Sequence, residues 1–312
     1  MIITRLTGGL GNQMFQYAAG LALAEHRRTV LKVDISWFRE TSEWANHGRY
    51  GLDGFLLPAH FSTQEENERA VGVALTRSER ASLALARLLR FRQYKRRLSS
   101  SRLVFRPGTF RYSTDFSLLP DGTYLDGLFQ SELFFKPSAA EVRRHFTFRF
   151  PLSPPAETAL AEIRATPSAF VHVRRGDYVS HSQFSRELGV LTTAYYQAAI
   201  ARLLSLQPSV KLHVFSDDPA GAQALLHGVA DFTLVDPDRR LSVHETLQLM
   251  ASCDHAVVAN SSYSWWAAWL IGNPQKTVIA PSPWYAGENH DTTDVIPSEW
   301  IRQSALFEAP QT

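Results

Sequence analysis

The chain has 312 residues, 45% hydrophobic and 20% charged, with a formal net charge of +2, a balance that suits a globular protein of two domains. No apolar stretch approaches the roughly 20 residues of a membrane span, and no 20–50-residue period is present, which excludes spanning helices, solenoids and propellers. A single cysteine, Cys253, excludes an internal disulfide framework and fits a reducing compartment.

The start, "MIITRLTGGLGNQ", lacks the basic opening and apolar run of a signal peptide, so a cytoplasmic protein is expected. "MIITRL" predicts a strand, "TGGLGNQ" a glycine loop, "MFQYAAGLALAEHR" a helix and "TVLKVDI" a second strand. Gly8, Gly9 and Gly11 let backbone approach a ligand closely, and the helix start behind them offers free N–H groups to an anion. Asp34 ends the second strand where a dinucleotide site would want an acid. The fingerprint G-x-G-x-x-G nevertheless fails, because Met14 stands in place of its third glycine. Asn12 and Gln13 at the turn are candidates for polar contact with a substrate.

Residues 40 to 135 are less regular. Between Arg77 and Arg106 ten basic residues stand against one acid, Glu79, so this segment carries +9 and the remainder −7. Its middle, "ASLALARLLRFRQYKRRL", has leucines at helical spacing and predicts a basic amphipathic helix. One reading is a solvated, arginine-rich face. The other is peripheral contact with an anionic membrane or a lipid-linked acceptor, where each cation is worth about 1 kcal/mol. No stacking platform or recognition motif accompanies the charge, which argues against nucleic acid. The proline-rich "FRFPLSPPAE", 148 to 157, predicts a linker between a domain of residues 1–150 and one of residues 151–312.

Beyond it strands and helices alternate. Strand "SAFVHV" precedes helix "TAYYQAAIARLLSL", and strand "KLHVFS" precedes helix "PAGAQALLHGV". "FTLVD", "HAVVAN" and "KTVIAP" are further strands, with helices "SVHETLQLMASC" and "SYSWWAAWLIG" between them. Apolar strands alternating with helices predict a parallel sheet covered on both faces, hence an α/β protein of two such units. Ligands of open α/β sheets bind beyond the carboxyl ends of the strands. "TGGLGNQ", "RRGDY", "SDDP" and "NSSYSWW" all fall there and together mark a site.

In "HVRRGDY" successive side chains point to opposite faces, so Arg174 and Arg175 are not expected to share a partner. One faces a ligand, for which a bidentate guanidinium suits a phosphate; the other pairs with an acid such as Asp177. Asp217 and Asp218 are candidate acceptors for ribose hydroxyls or base N–H groups, with helix N-capping as the alternative. Neighbouring strand carboxylates diverge, so a metal site is not expected there, nor at "DPD", 236 to 238. Ser261, Ser262 and the N–H groups around them can grip phosphate oxygens. Trp265, Trp266 and Trp269 read as core.

Taken together, "GGLGNQMFQYA", "GLFQSELFF" at 127–135, "HVRRGDY", "FSDDP", "LMASCDHAVVANSSYSWWAAWL" and "KTVIAPSPWY" resemble glycosyltransferase family 11, the bacterial-type α-1,2-fucosyltransferases. The resemblance implies a GT-B-like fold, two Rossmann-like domains facing a cleft, the first on the acceptor side and the second holding the donor. It implies GDP-β-L-fucose as co-substrate, a galactose-terminated glycan as acceptor, inversion at the anomeric carbon, and no metal or other cofactor. It assigns Arg174 to the β-phosphate, His172 and an aspartate of "SDD" to the guanosine, and the "NSSYS" residues Asn260, Ser261, Ser262 and Tyr263 to the donor. The "GGLGNQ" loop would close over donor and acceptor. Asp177, a carboxylate beside the arginines, is the expected general base. The rival readings are another GDP- or UDP-sugar transferase and a non-catalytic nucleotide- or glycan-binding module.

Overall fold

The computed structural model describes residues 1–40, 49–71, 97–99, 102–176, 187–287 and 291–308. They divide into two compact units, Met1–Arg149 and Phe150–Thr312.

The first unit begins with β1 (Ile2–Arg5), the helix Leu10–Arg27 and β2 (Leu31–Asp34), with β1 and β2 parallel. β3 (Arg97–Ser99), β4 (Arg102–Phe105) and β5 (Thr123–Leu125) complete a sheet of order β2-β1-β5-β4-β3, parallel except for the edge strand β3. The helix begins four residues earlier than the sequence suggests. Gly8 turns the chain at φ 70, Gly9 caps, and the amides of Asn12 and Gln13 both donate to the Gly9 carbonyl. Most of the helix is buried, including Met14, Phe15, Tyr17, Ala18 and Ala19. His26 and Arg27 in its last turn suit the negative end of the helix dipole.

The expected basic helix, 81–98, falls on residues outside those described except at Arg97 and Leu98, which belong to β3, and the basic segment continues into β4. Val104 and Phe105 pair with Tyr124 and Leu125 of β5, so β-branched and aromatic residues there take up a place inside the sheet. The linker is also shorter than expected: Pro154 and Pro155 open the helix Pro154–Arg164, where a missing N–H costs nothing.

The second unit holds β6 (Ser168–Val173), β7 (Lys211–Ser216), β8 (Thr233–Leu234), β9 (His255–Val257), β10 (Val278–Ser282) and β11 (Ile301–Ser304). They form one parallel sheet of order β11-β10-β9-β6-β7-β8. The chain runs outward through β7 and β8, then returns to the other flank of β6 with β9. The order therefore reverses between β6 and β9, which is the switch point where such sheets bind ligands. Ala169, Val171 and Val173 pack with Val214, Val257, Tyr195 and Leu203 into one core layer, which leaves Phe170 and His172 on the opposite face. Among the described residues no helix is long and apolar enough to cross a membrane.

Two helices of this unit are tied together by one carboxylate. Glu245 completes a capping box with Ser242 at the start of the helix Val243–Ala251, and its other oxygen accepts from the Ser153 amide at 2.8 Å. Burial alone would raise its pKa, but the donors from Ser153 and Ser242 outweigh that and lower it to about 2. A depressed carboxylate stabilises the fold above its unfolded pKa and loses that contribution as pH falls through the folded value. Unfolding midpoints measured against pH should fall between about pH 4.5 and about pH 2, and Glu245→Gln should flatten that window.

Candidate active site at the switch point of the second sheet

The ends of β6 and β9 are braced from one helix. On Thr193–Leu206, the Tyr196 hydroxyl donates to the His172 carbonyl at 3.2 Å and the Tyr195 hydroxyl to the Val258 carbonyl at 2.8 Å. Both tyrosines are buried, and burial pushes both phenols well above their ordinary range. The sequence offers no sign of this role, because "AYYQ" reads as apolar packing.

His172 is 3% exposed, its ring lies 6.0 Å from that of Tyr263, and its Nδ1 has no hydrogen-bond partner. Burial pushes the imidazole down to about 4; Asp217 opposes the shift and Arg174 adds to it. His172 is therefore neutral near pH 7, a hydrogen-bonding group rather than a cation.

The side chains of the two arginines, which follow the end of β6 at Val173, meet different acids among the described residues. Arg174 Nη1 lies 2.9 Å from Asp217 Oδ2. Arg175 Nη1 lies 2.8 Å from Glu308 Oε1, and its Nε is 3.8 Å from Asp218 Oδ2. The Arg175 amide also donates to Asp217 Oδ1 at 2.9 Å. Asp217 thus holds both the side chain of one arginine and the backbone of the next. Asp218 is the N-cap of the helix Pro219–Leu226, accepting from the Gly221 amide at 3.0 Å, which is the alternative role its position allowed. Asp177 lies outside the described residues.

From β9 the chain passes into the helix Ser262–Leu270. Asn260 is buried and its Nδ2 donates to the carbonyls of Leu188 and Gly189 at 2.8 and 3.0 Å, so it ties down the 188–189 loop. Ser261 occupies the N-cap position without a side-chain capping bond, and Ser262 opens the helix. The half-buried Tyr263 phenol, raised by desolvation, donates to the Val243 carbonyl at 2.6 Å. Trp265, Trp266 and Trp269 are core, and Trp265 Nε1 satisfies the Val295 carbonyl at 2.7 Å.

In the first unit the candidate loop is also well braced. Gly11, Asn12 and Gln13 lie within the first helical turn rather than in the loop. Gln13 is 1% exposed and spends its amide on the Gly8 and Arg49 carbonyls and the Gly51 amide, so in this structure it braces the loop. Asn12 Oδ1 accepts from Gln130 of "GLFQSELFF" at 2.8 Å. Gly8 and Gly9 form the turn itself. Asp34 accepts from the Tyr124 hydroxyl at 2.5 Å and the Ser36 amide, which makes it a brace. Among the described residues no group of three His, Cys, Asp or Glu side chains could hold a metal ion. In "DPD", Asp236 closes its own turn by accepting from the amides of Arg240 and Leu241.

Residues 112–304 match the family model described as Glycosyl transferase family 11, well over half of the chain. The chain belongs to glycosyl transferase family 11. Within that setting, an Escherichia coli alpha-1,2-colitosyltransferase is 29% identical over 309 residues, 97% of this chain and 98% of that protein. The O-antigen biosynthesis glycosyltransferase WbnK of Escherichia coli is 28% identical over 303 residues, 91% of this chain and 95% of its own. Among solved structures, Arabidopsis thaliana FUT1 in complex with GDP is similar at a TM-score of 0.53 and 11% identity, covering 97% of this chain and 73% of that one. That likeness is one of fold, and it agrees with two Rossmann-like units of the GT-B-like class.

The turn after β6 has one steric condition. A Cβ on Gly176 would stand 2.5 Å from Asp217 Oδ2, and that carboxylate is pinned by two donors and cannot yield cheaply. Gly176→Ala should therefore destabilise the fold by about 1–3 kcal/mol in denaturant titration. Gly272→Ala, where nothing lies within 4 Å, should cost far less.

Proposed function

We propose that this family 11 glycosyltransferase transfers L-fucose from GDP-β-L-fucose, with inversion, to the 2-hydroxyl of a galactoside acceptor. The acceptor class would be a glycan, glycolipid or polysaccharide precursor. The observation that carries the reading is Arg174, held by Asp217 at the switch point of the second sheet, beside a buried His172 with an unused Nδ1. The names of the relatives support the class of reaction: α-1,2 transfer of a deoxyhexose, and O-antigen assembly.

In an inverting transfer the acceptor hydroxyl attacks the anomeric carbon opposite the leaving GDP, through an oxocarbenium-like state. Negative charge grows on the diphosphate as the bond breaks. A guanidinium already fixed in place lowers that barrier without reorganising. Arg174 is the proposed cation, joined by Ser261 and Ser262. Neutral His172 suits a base or ribose hydrogen bond, and Asp177 is the proposed general base. Asp217 and Asp218 are engaged by Arg174 and Gly221, so the reading needs no metal. A second donor, a colitose nucleotide, is favoured by the name of the Escherichia coli relative.

Incubation with GDP-fucose and a panel of galactosides, with and without EDTA, tests this directly. Release of GDP with an α-1,2-fucosylated product by NMR, unchanged by EDTA, is expected. Turnover only with UDP-sugars or a colitose donor would reassign the sugar, strict Mn²⁺ dependence would overturn the metal-free mechanism, and donor binding without turnover would leave a binding module.

A cytoplasmic location with peripheral membrane contact through the basic segment belongs to the same proposal. Anionic vesicles should then sediment the protein at low salt and release it at high salt. Absence from the pellet at low salt would favour a merely solvated segment.

A further inference from the structure

Four residues near the carboxyl end of the chain, Ala305 to Glu308, lie beyond the stretch that the family model matches. They run back across the mouth of the second sheet. The Ala305 amide donates to Ser282 at 3.0 Å, and both the amide and the hydroxyl of Thr192 donate to the Leu306 carbonyl at 2.9 and 3.0 Å. Phe307 bridges Leu191, and the Glu308 amide donates to the Val190 carbonyl at 2.7 Å. The strap thus grips residues 190–192, directly after the 188–189 carbonyls that Asn260 holds. It ends in the Glu308 carboxylate on Arg175 Nη1, 133 residues away in sequence.

Arg175 is 20% exposed, and its Nε is buried with no hydrogen-bond partner, the nearest carboxylate oxygen, Asp218 Oδ2, lying 3.8 Å off. A guanidinium so enclosed keeps one orientation only if something anchors its far edge, because a buried N–H without an acceptor otherwise favours rearrangement. Glu308 is that anchor. Its charge also lowers the repulsion between two adjacent arginines, as Asp217 does from the side of Arg174.

Resting on the donor site proposed above, we infer that Glu308 is a positioning residue for donor binding: the strap carries a carboxylate that sets Arg175, and through it the turn bearing Arg174. Sequence could not reveal this, because Glu308 sits in an unremarkable "LFEAP".

The test is GDP affinity by calorimetry in a double-mutant cycle, with thermal unfolding and fucosyl transfer measured alongside. Glu308→Gln should weaken GDP about tenfold, for a pair that is only partly buried, with little change in unfolding temperature. Glu308→Asp should recover part of the loss. In the Arg175→Gln background, Glu308→Gln should have no further effect. Wild-type affinity in Glu308→Gln, or an equal loss in both backgrounds, would overturn the inference. Unfolding of Glu308→Gln together with wild-type affinity in Glu308→Asp would make the contact purely structural and overturn it too. Failure of the wild-type protein to bind GDP would instead remove the donor-site reading itself.

Discussion

The second sheet's site rests on one carboxylate receiving two donors from the neighbouring strand. Asp217, at the end of β7, accepts from the Arg174 guanidinium and from the Arg175 amide, each at 2.9 Å. Arg174 and Asp217 are 19% and 17% exposed, so each would be costly to leave unpaired. Their pairing fixes the backbone where β6 ends and the side chain that leaves it. Gly176 is required because the carboxylate fills the space of a Cβ. His172 takes its low pKa first from burial, and stays neutral beside a cation and an anion that oppose each other.

The same economy governs both units. Polar residues that look like ligand contacts are, in several cases, braces for the loops that would make those contacts. Gln16 accepts from the Thr7 amide and donates to the Thr7 hydroxyl, both at 2.9 Å, while Gln13 ties Gly8 to Arg49 and Gly51. Asn260 does the same for Leu188 and Gly189. A buried amide can satisfy a carbonyl and an N–H at once, which suits it to hold irregular backbone that no sheet or helix would satisfy. The groups left for a ligand to satisfy are then those whose demands are unmet, and the buried His172 Nδ1 is one of them.

Much of the fold was legible because apolar runs and helical periods are local properties. "TAYYQAAIARLLSL" is the helix Thr193–Leu206, and "SAFVHV" and "KLHVFS" are β6 and β7. β5 and β11 escaped because "TYL" and "IRQS" are too short or too polar to stand out; pairing with β1 and β10 makes them strands. At the site, Arg174 meets Asp217 and Arg175 meets Glu308, far along the chain, and no local pattern announces either pairing. Whether Asp218 caps a helix or meets a ligand depends on where one carboxylate oxygen points, and no spacing rule fixes that.

In the proposed reaction the Arg174 guanidinium, fixed by Asp217, meets the diphosphate of the donor. The most direct measurement compares the affinities of GDP and guanosine in the wild-type protein and in Arg174→Ala. Loss of about 1.5–3 kcal/mol for GDP, the scale of a hydrogen bond to a charged group, is expected, with guanosine affinity unchanged. Equal losses for both ligands, or undiminished GDP binding, would contradict it.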